Sequence, residues 1–370
     1  MRQRVAYLLH LRGMMKVSLL GLLLTAGTAW GQAPAASLPD SVDTYLASSL
    51  RLFETYALNS KTIDWPQLRQ QVYQQAQGAR TISELLPLYP PLFAQLHDDH
   101  GWLTYQGKTV KWRNPDRTPY ANAAVKTALA RKPSLLVKLL PHRIGYIRLP
   151  GINAGGSLAQ QQAAAVVVRD SVARLFPHRI RAWIIDLRLN DGGAMAPMLA
   201  GIAPLLGDGH VGGFVDYAGH MQEQWYLKHG NFYLDTLAVT ALPAPSRRIR
   251  SNQPIAVLLS GLTASSGEIV AISLKGRPAT RFFGEPTYGA TTANTSYPIQ
   301  GKSYLTLAGS VDADRNGQVY PLRLQPDELI AGGDNFTDLQ QDTKVLAALN
   351  WLKTAKASGS KDVSTAQKGH

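Results

Sequence analysis

An α/β core preceded by a small helical subdomain is the fold class this sequence predicts, and two patterns carry the expectation. From about residue 143 onward, apolar β-branched runs alternate with stretches of helical spacing, the signature of strands interleaved with helices. Residues 38–99 instead repeat apolar residues at helical spacing, as in Val42, Leu46, Leu50 and Phe53. A hydrophobic content of 45% over 370 residues is enough to fill a sizeable core.

The first segment reads as a secretory signal peptide, residues 1–31. Arg2, Arg4, Arg12 and Lys16 precede the apolar run Val17–Ala26, and Ala29-Trp30-Gly31 offers a small-x-small cleavage site. An uncleaved anchor is the alternative, but the run falls short of the roughly 20 residues of a spanning helix. A periplasmic or secreted location is therefore expected. The chain has no cysteine, which excludes disulfides, thiolate metal sites, a cysteine nucleophile and a lipidation site behind the signal. Removing the four basic signal residues from the formal +13 leaves about +9, dispersed along the chain. No Lys/Arg run is interleaved with aromatics, so nucleic-acid binding is not supported; weak attraction to an anionic envelope surface is the milder implication.

Within residues 38–99, Asp64-Trp65-Pro66 resembles an N-cap followed by an early proline, and Ile82–Leu96 is a second apolar stretch broken by prolines. Leu96-His97-Asp98-Asp99-His100-Gly101 closes this region. Its two histidines lack a partner cluster at metal-ligand spacing, and a histidine pair in a loop is ordinarily surface. The core is expected over 100–352, with strands at Arg143–Leu149 and Ala182–Leu187, helices at Ala159–Phe176 and Met195–Leu206, then the Ile255–Leu259 strand and a helix from Glu268. Residues 353–370, rich in Ser, Gly, Ala and Lys, read as a flexible tail.

Two turns in the core have the composition of ligand sites. Asp186-Leu187-Arg188-Leu189-Asn190-Asp191-Gly192-Gly193 follows the apolar Trp183-Ile184-Ile185, and its glycines permit a tight turn that aims backbone N–H groups into a crevice. A plain strand-to-helix turn is the bland reading. Leu262-Thr263-Ala264-Ser265-Ser266-Gly267-Glu268 follows Ile255–Leu259 and puts Ser265 at a helix N-terminus, where unpaired N–H groups favour a developing oxyanion. Ser265 and Glu268 are also spaced as an ordinary capping box, so the serine is a cap or a nucleophile.

These segments, with Ile144-Gly145-Tyr146-Ile147-Arg148-Leu149, Gly284-Glu285-Pro286-Thr287-Tyr288-Gly289 and Pro326-Asp327, resemble in order and spacing the tail-specific (carboxyl-terminal-processing) serine proteases. The similarity is greatest to the branch containing the tricorn core and the interphotoreceptor retinoid-binding repeats. The resemblance implies a crotonase-like α/β spiral core. It makes Ser265 the nucleophile, with the amide of Ser266 and one from Gly192 or Gly193 as the oxyanion hole. The lysine that many members place directly after the Gly-Glu-Pro-Thr-x-Gly segment is Ala290 here. In the tricorn-like branch a histidine replaces it, and His100 falls on that position. Imidazole suits the role, since its unperturbed pKa of about 6.5 needs no desolvation to accept a proton near neutrality. Asp98, Asp99 and Asp312 are candidates for the third member, Tyr320 occupying the nearest slot of the family glutamate.

Family members commonly carry a PDZ domain before the core, whereas about forty residues separate His100 from Arg143, below an ordinary domain size. No PDZ domain is expected, and peptide is expected to bind as an added strand. The resemblance implies no metal and no organic cofactor. Two functions stay open: an exported serine endopeptidase acting on peptide or unfolded protein, and a noncatalytic relative that binds peptides or apolar ligands.

Overall fold

A computed structural model describes residues 37–115, 121–155, 157–243 and 253–358. The expected signal peptide and the end of the expected tail lie outside these residues. Among the described residues, no helix is long and apolar enough to cross a membrane.

Four helices come first: α1 (Asp40–Tyr56), α2 (Trp65–Gln75), α3 (Ile82–Leu85) and α4 (Tyr89–Gln95). Asp64 caps α2 by accepting from the Gln67 amide at 3.1 Å, and Pro66 sits in its first turn, where a missing N–H costs nothing. The strands β1 (Trp102–Tyr105) and β2 (Lys108–Val110) form a hairpin, followed by α5 (Ala123–Ala130). Then come β3 (Leu136–Leu140), β4 (Ile144–Arg148), α6 (Leu158–Ala173), β5 (Ala182–Asp186), α7 (Met195–Gly201) and α8 (Ala203–Leu206). A run of antiparallel strands follows: β6 (Gly209–Val215), β7 (Met221–Lys228), β8 (Asn231–Leu234) and β9 (Leu237–Ala238). The chain ends with β10 (Ile255–Leu259), α9 (Ser266–Leu274), β11 (Thr280–Gly284), β12 (Thr292–Ile299), β13 (Ser303–Asp314), β14 (Glu328–Leu329) and α10 (Thr343–Ser358).

Two sheets result. One has the order β14-β11-β10-β5-β4-β3, parallel except for β3. Its central strands β10 and β5 are buried at every position and apolar but for Asp186, because both faces are covered. Ile147, Trp183, Ile185, Val257 and Phe282 face a core shared with α6, α7 and α9, whereas Tyr146, Ile184, Ala256, Leu258 and Phe283 face α10. The other sheet has the order β2-β1-β13-β6-β7-β8-β9, with β12 joined to β13. The first helices pack on it: Tyr45, Phe53, Tyr89 and Phe93 share a cluster with Leu103, Leu305 and Leu307. This α/β arrangement with two sheets agrees with the expected core.

Local boundaries differ in several places: α10 runs to Ser358 into the tail expected from 353, and the helix expected over Ala159–Phe176 ends at Ala173. The expected helix Met195–Leu206 is two helices broken at Ile202, because Pro204 supplies no N–H to continue the ladder. The helix expected from Glu268 begins at Ser266, so the serine pair lies directly at its start.

Candidate active site

The site gathers at the C-terminal ends of the parallel strands β5 and β10, the edge where open α/β sheets leave a crevice. The two turns leaving these strands are laced together. Ser260 Oγ donates to the Arg188 carbonyl at 2.7 Å, Thr263 Oγ1 to the Leu187 carbonyl at 2.9 Å, and the Ala264 amide to the Asn190 carbonyl at 3.0 Å. Both hydroxyls are buried and find acceptors in these bonds; the Leu187 carbonyl also accepts from the Asn190 amide at 2.9 Å.

Ser265 stands half-buried at the head of α9 with φ 52° and ψ −122°. An ordinary N-cap adopts the β region, and a non-glycine residue in this strained conformation costs about 1–3 kcal/mol. Capping alone does not require that geometry; a nucleophile raised on a sharp strand-to-helix turn does. Glu268 closes a capping box by accepting from the Ser265 amide at 2.9 Å. The serine is thus a cap held in an uncommon backbone conformation.

Gly192 and Gly193, both at φ 109°, lie against this turn. A Cβ on Gly192 would stand 2.9 Å from Ser265 Cβ and 3.2 Å from the Ala264 carbonyl, so only glycine lets the two turns approach this closely. Ser266 Oγ donates to the Gly193 carbonyl at 2.6 Å. The two glycine amides are not equivalent: the Gly192 N–H donates to Asn190 Oδ1 at 3.1 Å and is spent there. The Asn at two residues before Gly192 was the available sequence signal, since an Asx turn takes that amide. Of the two expected glycines, Gly192 therefore has its amide engaged.

His100 sits in a turn organised by Asp98. The Asp98 carboxylate accepts from the amides of His100 at 3.1 Å, Gly101 at 2.6 Å and Ala308 on β13 at 3.0 Å. Burial pushes its carboxyl up despite these donors. Asp98 is therefore a hook for the turn. The imidazole is held from across the fold, with Nδ1 2.8 Å from Thr292 Oγ1, and the Asn294 side chain donates to the His100 carbonyl at 3.0 Å. Sequence reading missed Thr292, which follows the family segment with nothing to distinguish it from a structural threonine. Asp99 lines the cavity beside His100.

The segment 287–292 connects the two halves. Glu268, fully buried, accepts from the Thr287 hydroxyl and from the Gly289 amide at 2.8 Å, with a further bond from the Ala290 amide. Two residues on, Thr292 holds His100. His100, Gly289 and Thr292 line a cavity of about 330 Å³ together with Leu58, Asp99 and Leu322. Gly192 thus lies against Ser265 and Gly193 against Ser266, whereas His100 is linked to them only through this segment and lines a cavity that includes none of the four. Ala290 is buried, and the neighbouring lysines do not replace the absent one. Lys275, at the far end of α9, pairs with Asp327 at 3.5 Å, and Lys302 is exposed in the turn between β12 and β13. Among the described residues, no group of three or more His, Cys, Asp or Glu is placed to hold a metal.

The sequence profile of peptidase family S41 matches residues 143–330. The chain belongs to peptidase family S41. This is a family of serine peptidases, and the strand, turn and helix that carry Ser265 lie within the matched region. Among relatives, the chain is 22% identical to the nisin-resistance protein of Lactococcus lactis subsp. lactis over 86% of this chain and 89% of that one. It is 28% identical to the chloroplastic carboxyl-terminal-processing peptidase 2 of Arabidopsis thaliana over 45% of this chain, spanning only 27% of that protein. Two solved structures share the S41 fold: a lipoprotein from Streptococcus agalactiae (TM-score 0.64, 21% identity, 86% of this chain and 98% of that one) and the photosystem II D1 C-terminal processing protease (TM-score 0.52, 14% identity, 82% and 96%).

Proposed function

We propose that this S41 member is an exported serine endopeptidase in which Ser265 attacks and His100 is the general base. The observation that carries the reading is Ser265 at φ 52° against the Gly192-Gly193 turn, a strained placement that a cap does not need. In the tautomer whose Nδ1 donates to the Thr292 hydroxyl, Nε2 is the nitrogen that takes the serine proton. Attack on a peptide carbonyl places the oxyanion at the head of α9, where the amides of Ser266 and Gly193 stabilise it. His100 then returns the proton to the leaving amine, and water releases the acyl group by the same route. Among the described residues β12 pairs with β13 alone, and Asn294 on it reaches His100, so its other edge is where an extended peptide would add as a strand. Export rests on the basic and apolar residues of 1–31.

A noncatalytic binding role is the second reading, favoured by Ala290 in place of the family lysine. A fluorophosphonate probe separates the two: it labels the wild type and fails on Ser265→Ala, and His100→Ala loses about 10²- to 10⁴-fold in labelling rate, the usual worth of a general base. Absence of wild-type labelling between about pH 6 and 9, on either side of the unperturbed histidine range, would eliminate the hydrolase. Likeness to a nisin-resistance protein over most of both chains makes nisin one compound to assay for cleavage.

A further inference from the structure

Asp312 is a buried carboxyl that the proposed serine chemistry does not use. It lies on β13, fully buried, and neither side-chain oxygen has a hydrogen-bond partner. Its backbone is committed: the amide donates to the Thr291 carbonyl at 3.0 Å, and the carbonyl accepts from the Tyr320 amide at 2.9 Å. The elements packed around it bring little charge. Across on β6 stand Phe214 and Gly213, and the neighbours Val311 and Ala313 belong to an apolar cluster with Val215. Asp314 is engaged by the Tyr320 hydroxyl at 2.8 Å, and Arg315 donates to the Ser273 carbonyl at 2.7 Å. From β12, Thr292 is turned to His100. From α9, which packs against β13, comes Glu268, whose donors Gly289 and Ala290 lead directly into Thr291, the residue whose carbonyl accepts from the Asp312 amide.

Two carboxyls in one dry region cannot both ionise cheaply. Their surroundings divide them. Glu268 accepts from the Thr287 hydroxyl and the amides of Ser265, Gly289 and Ala290, whereas Asp312 has no donor. An ionised carboxylate without donors or a cation is far too costly to bury, so the proton belongs on Asp312. Burial, then the charge of Glu268, pushes Asp312 well above the usual carboxyl range; Glu268 is pushed by burial to about 7.

We propose that Asp312 is a positioning residue: a proton-bearing carboxyl that fills the space beside Glu268 and leaves Glu268 as the anion that fixes Ser265 and the segment from Thr287 to Thr292. The proposal rests on the assignment of Ser265 and His100 above. Ionising Asp312 would set a second negative charge beside Glu268 and loosen the bonds that place both reacting groups.

Infrared spectroscopy and probe labelling test it together. At pH 8 the wild type should show the carbonyl stretch of a protonated carboxyl, retained in Glu268→Gln and missing in Asp312→Asn. A wild type without the band, or an Asp312→Asn protein that keeps it, overturns the proposal whether or not Ser265 reacts. Asp312→Ala should slow fluorophosphonate labelling by about tenfold or more, the scale expected when attacking groups shift by a fraction of an ångström. Asp312→Asn should recover most of that rate and move the alkaline fall in labelling to higher pH. Unslowed labelling of Asp312→Ala, or a folded Asp312→Asn as slow as Asp312→Ala, overturns the positioning role. If the wild type does not label at all, the serine assignment fails, while the infrared band still decides where the proton resides.

Discussion

His100 Nδ1 lies 2.8 Å from Thr292 Oγ1, although 192 positions separate the two residues in sequence. In the proposed mechanism this hydroxyl takes the place that a carboxylate has in a Ser-His-Asp triad, orienting the ring without adding a charge. Thr292→Val removes this partner at nearly constant volume. Labelling of Ser265 should fall by about tenfold or more, yet by less than the ~10²- to 10⁴-fold lost with the base itself. Thr292→Ser should restore the rate. Equal labelling of the Val variant and the wild type would show that the ring needs no orienting hydroxyl.

Gly192 packs against Ser265 at a φ that side chains rarely adopt. Gly192→Ala forces a Cβ against Ser265 and the Ala264 carbonyl, so the two turns must separate. A loss of about 1–3 kcal/mol is expected from the backbone strain. Urea unfolding measures it, and the labelling rate should drop in the same variant.

Glu268 gives stability a dependence on pH with a definite sign. Burial raises its carboxyl from 4.5 to about 7, so the folded state holds the proton more tightly than the unfolded one. That contribution is complete below about pH 4.5 and disappears as pH rises through about 7. In urea unfolding from pH 4 to 8, the stability of the wild type relative to Glu268→Gln should therefore decline across this window. A constant difference would place the Glu268 carboxyl at its ordinary value.

Arg188 is a structural rather than a chemical residue of the Asp186–Gly193 turn. Its guanidinium is fully buried between Asp186 at 2.6 Å, Asp334 at 2.6 Å and Asp342 at 2.7 Å, and lies 4.6 Å from the Phe336 ring centre. It ties the turn to the start of α10. Arg188→Met leaves three carboxylates without their shared cation and should cost about 3–5 kcal/mol. Arg188→Lys should recover only part of this, because a single ammonium cannot match the fork of bonds. Denaturant midpoints read both.

The parallel strands were legible because continuous burial on both faces demands uninterrupted apolar runs, as in Ile255–Leu259 and in 182–185 of β5. The antiparallel sheet was not. β7 runs Met221-Gln222-Glu223-Gln224 with these residues largely exposed, so its pattern carries little apolar signal, and its place is set by pairing with β6 and β8. The same limit applied at the site. Asn190 two residues before Gly192 was readable as an Asx turn, but the hook of Asp98 onto the Ala308 amide spans 210 positions and leaves no local trace.

By itself the sequence determined the α/β core, the serine at a strand-to-helix turn, the paired glycines facing it and the absence of the family lysine at Ala290. Each of these is a local property: hydrophobic period, turn chemistry, or the identity of one residue in a motif. Only the tertiary structure decided that Ser265 is strained, that Gly192 packs against it, that Thr292 holds His100, and that Asp312 lies buried and unpaired on β13. Those properties depend on which groups meet when distant strands close around one crevice, and burial then sets where each proton and hydrogen bond must go.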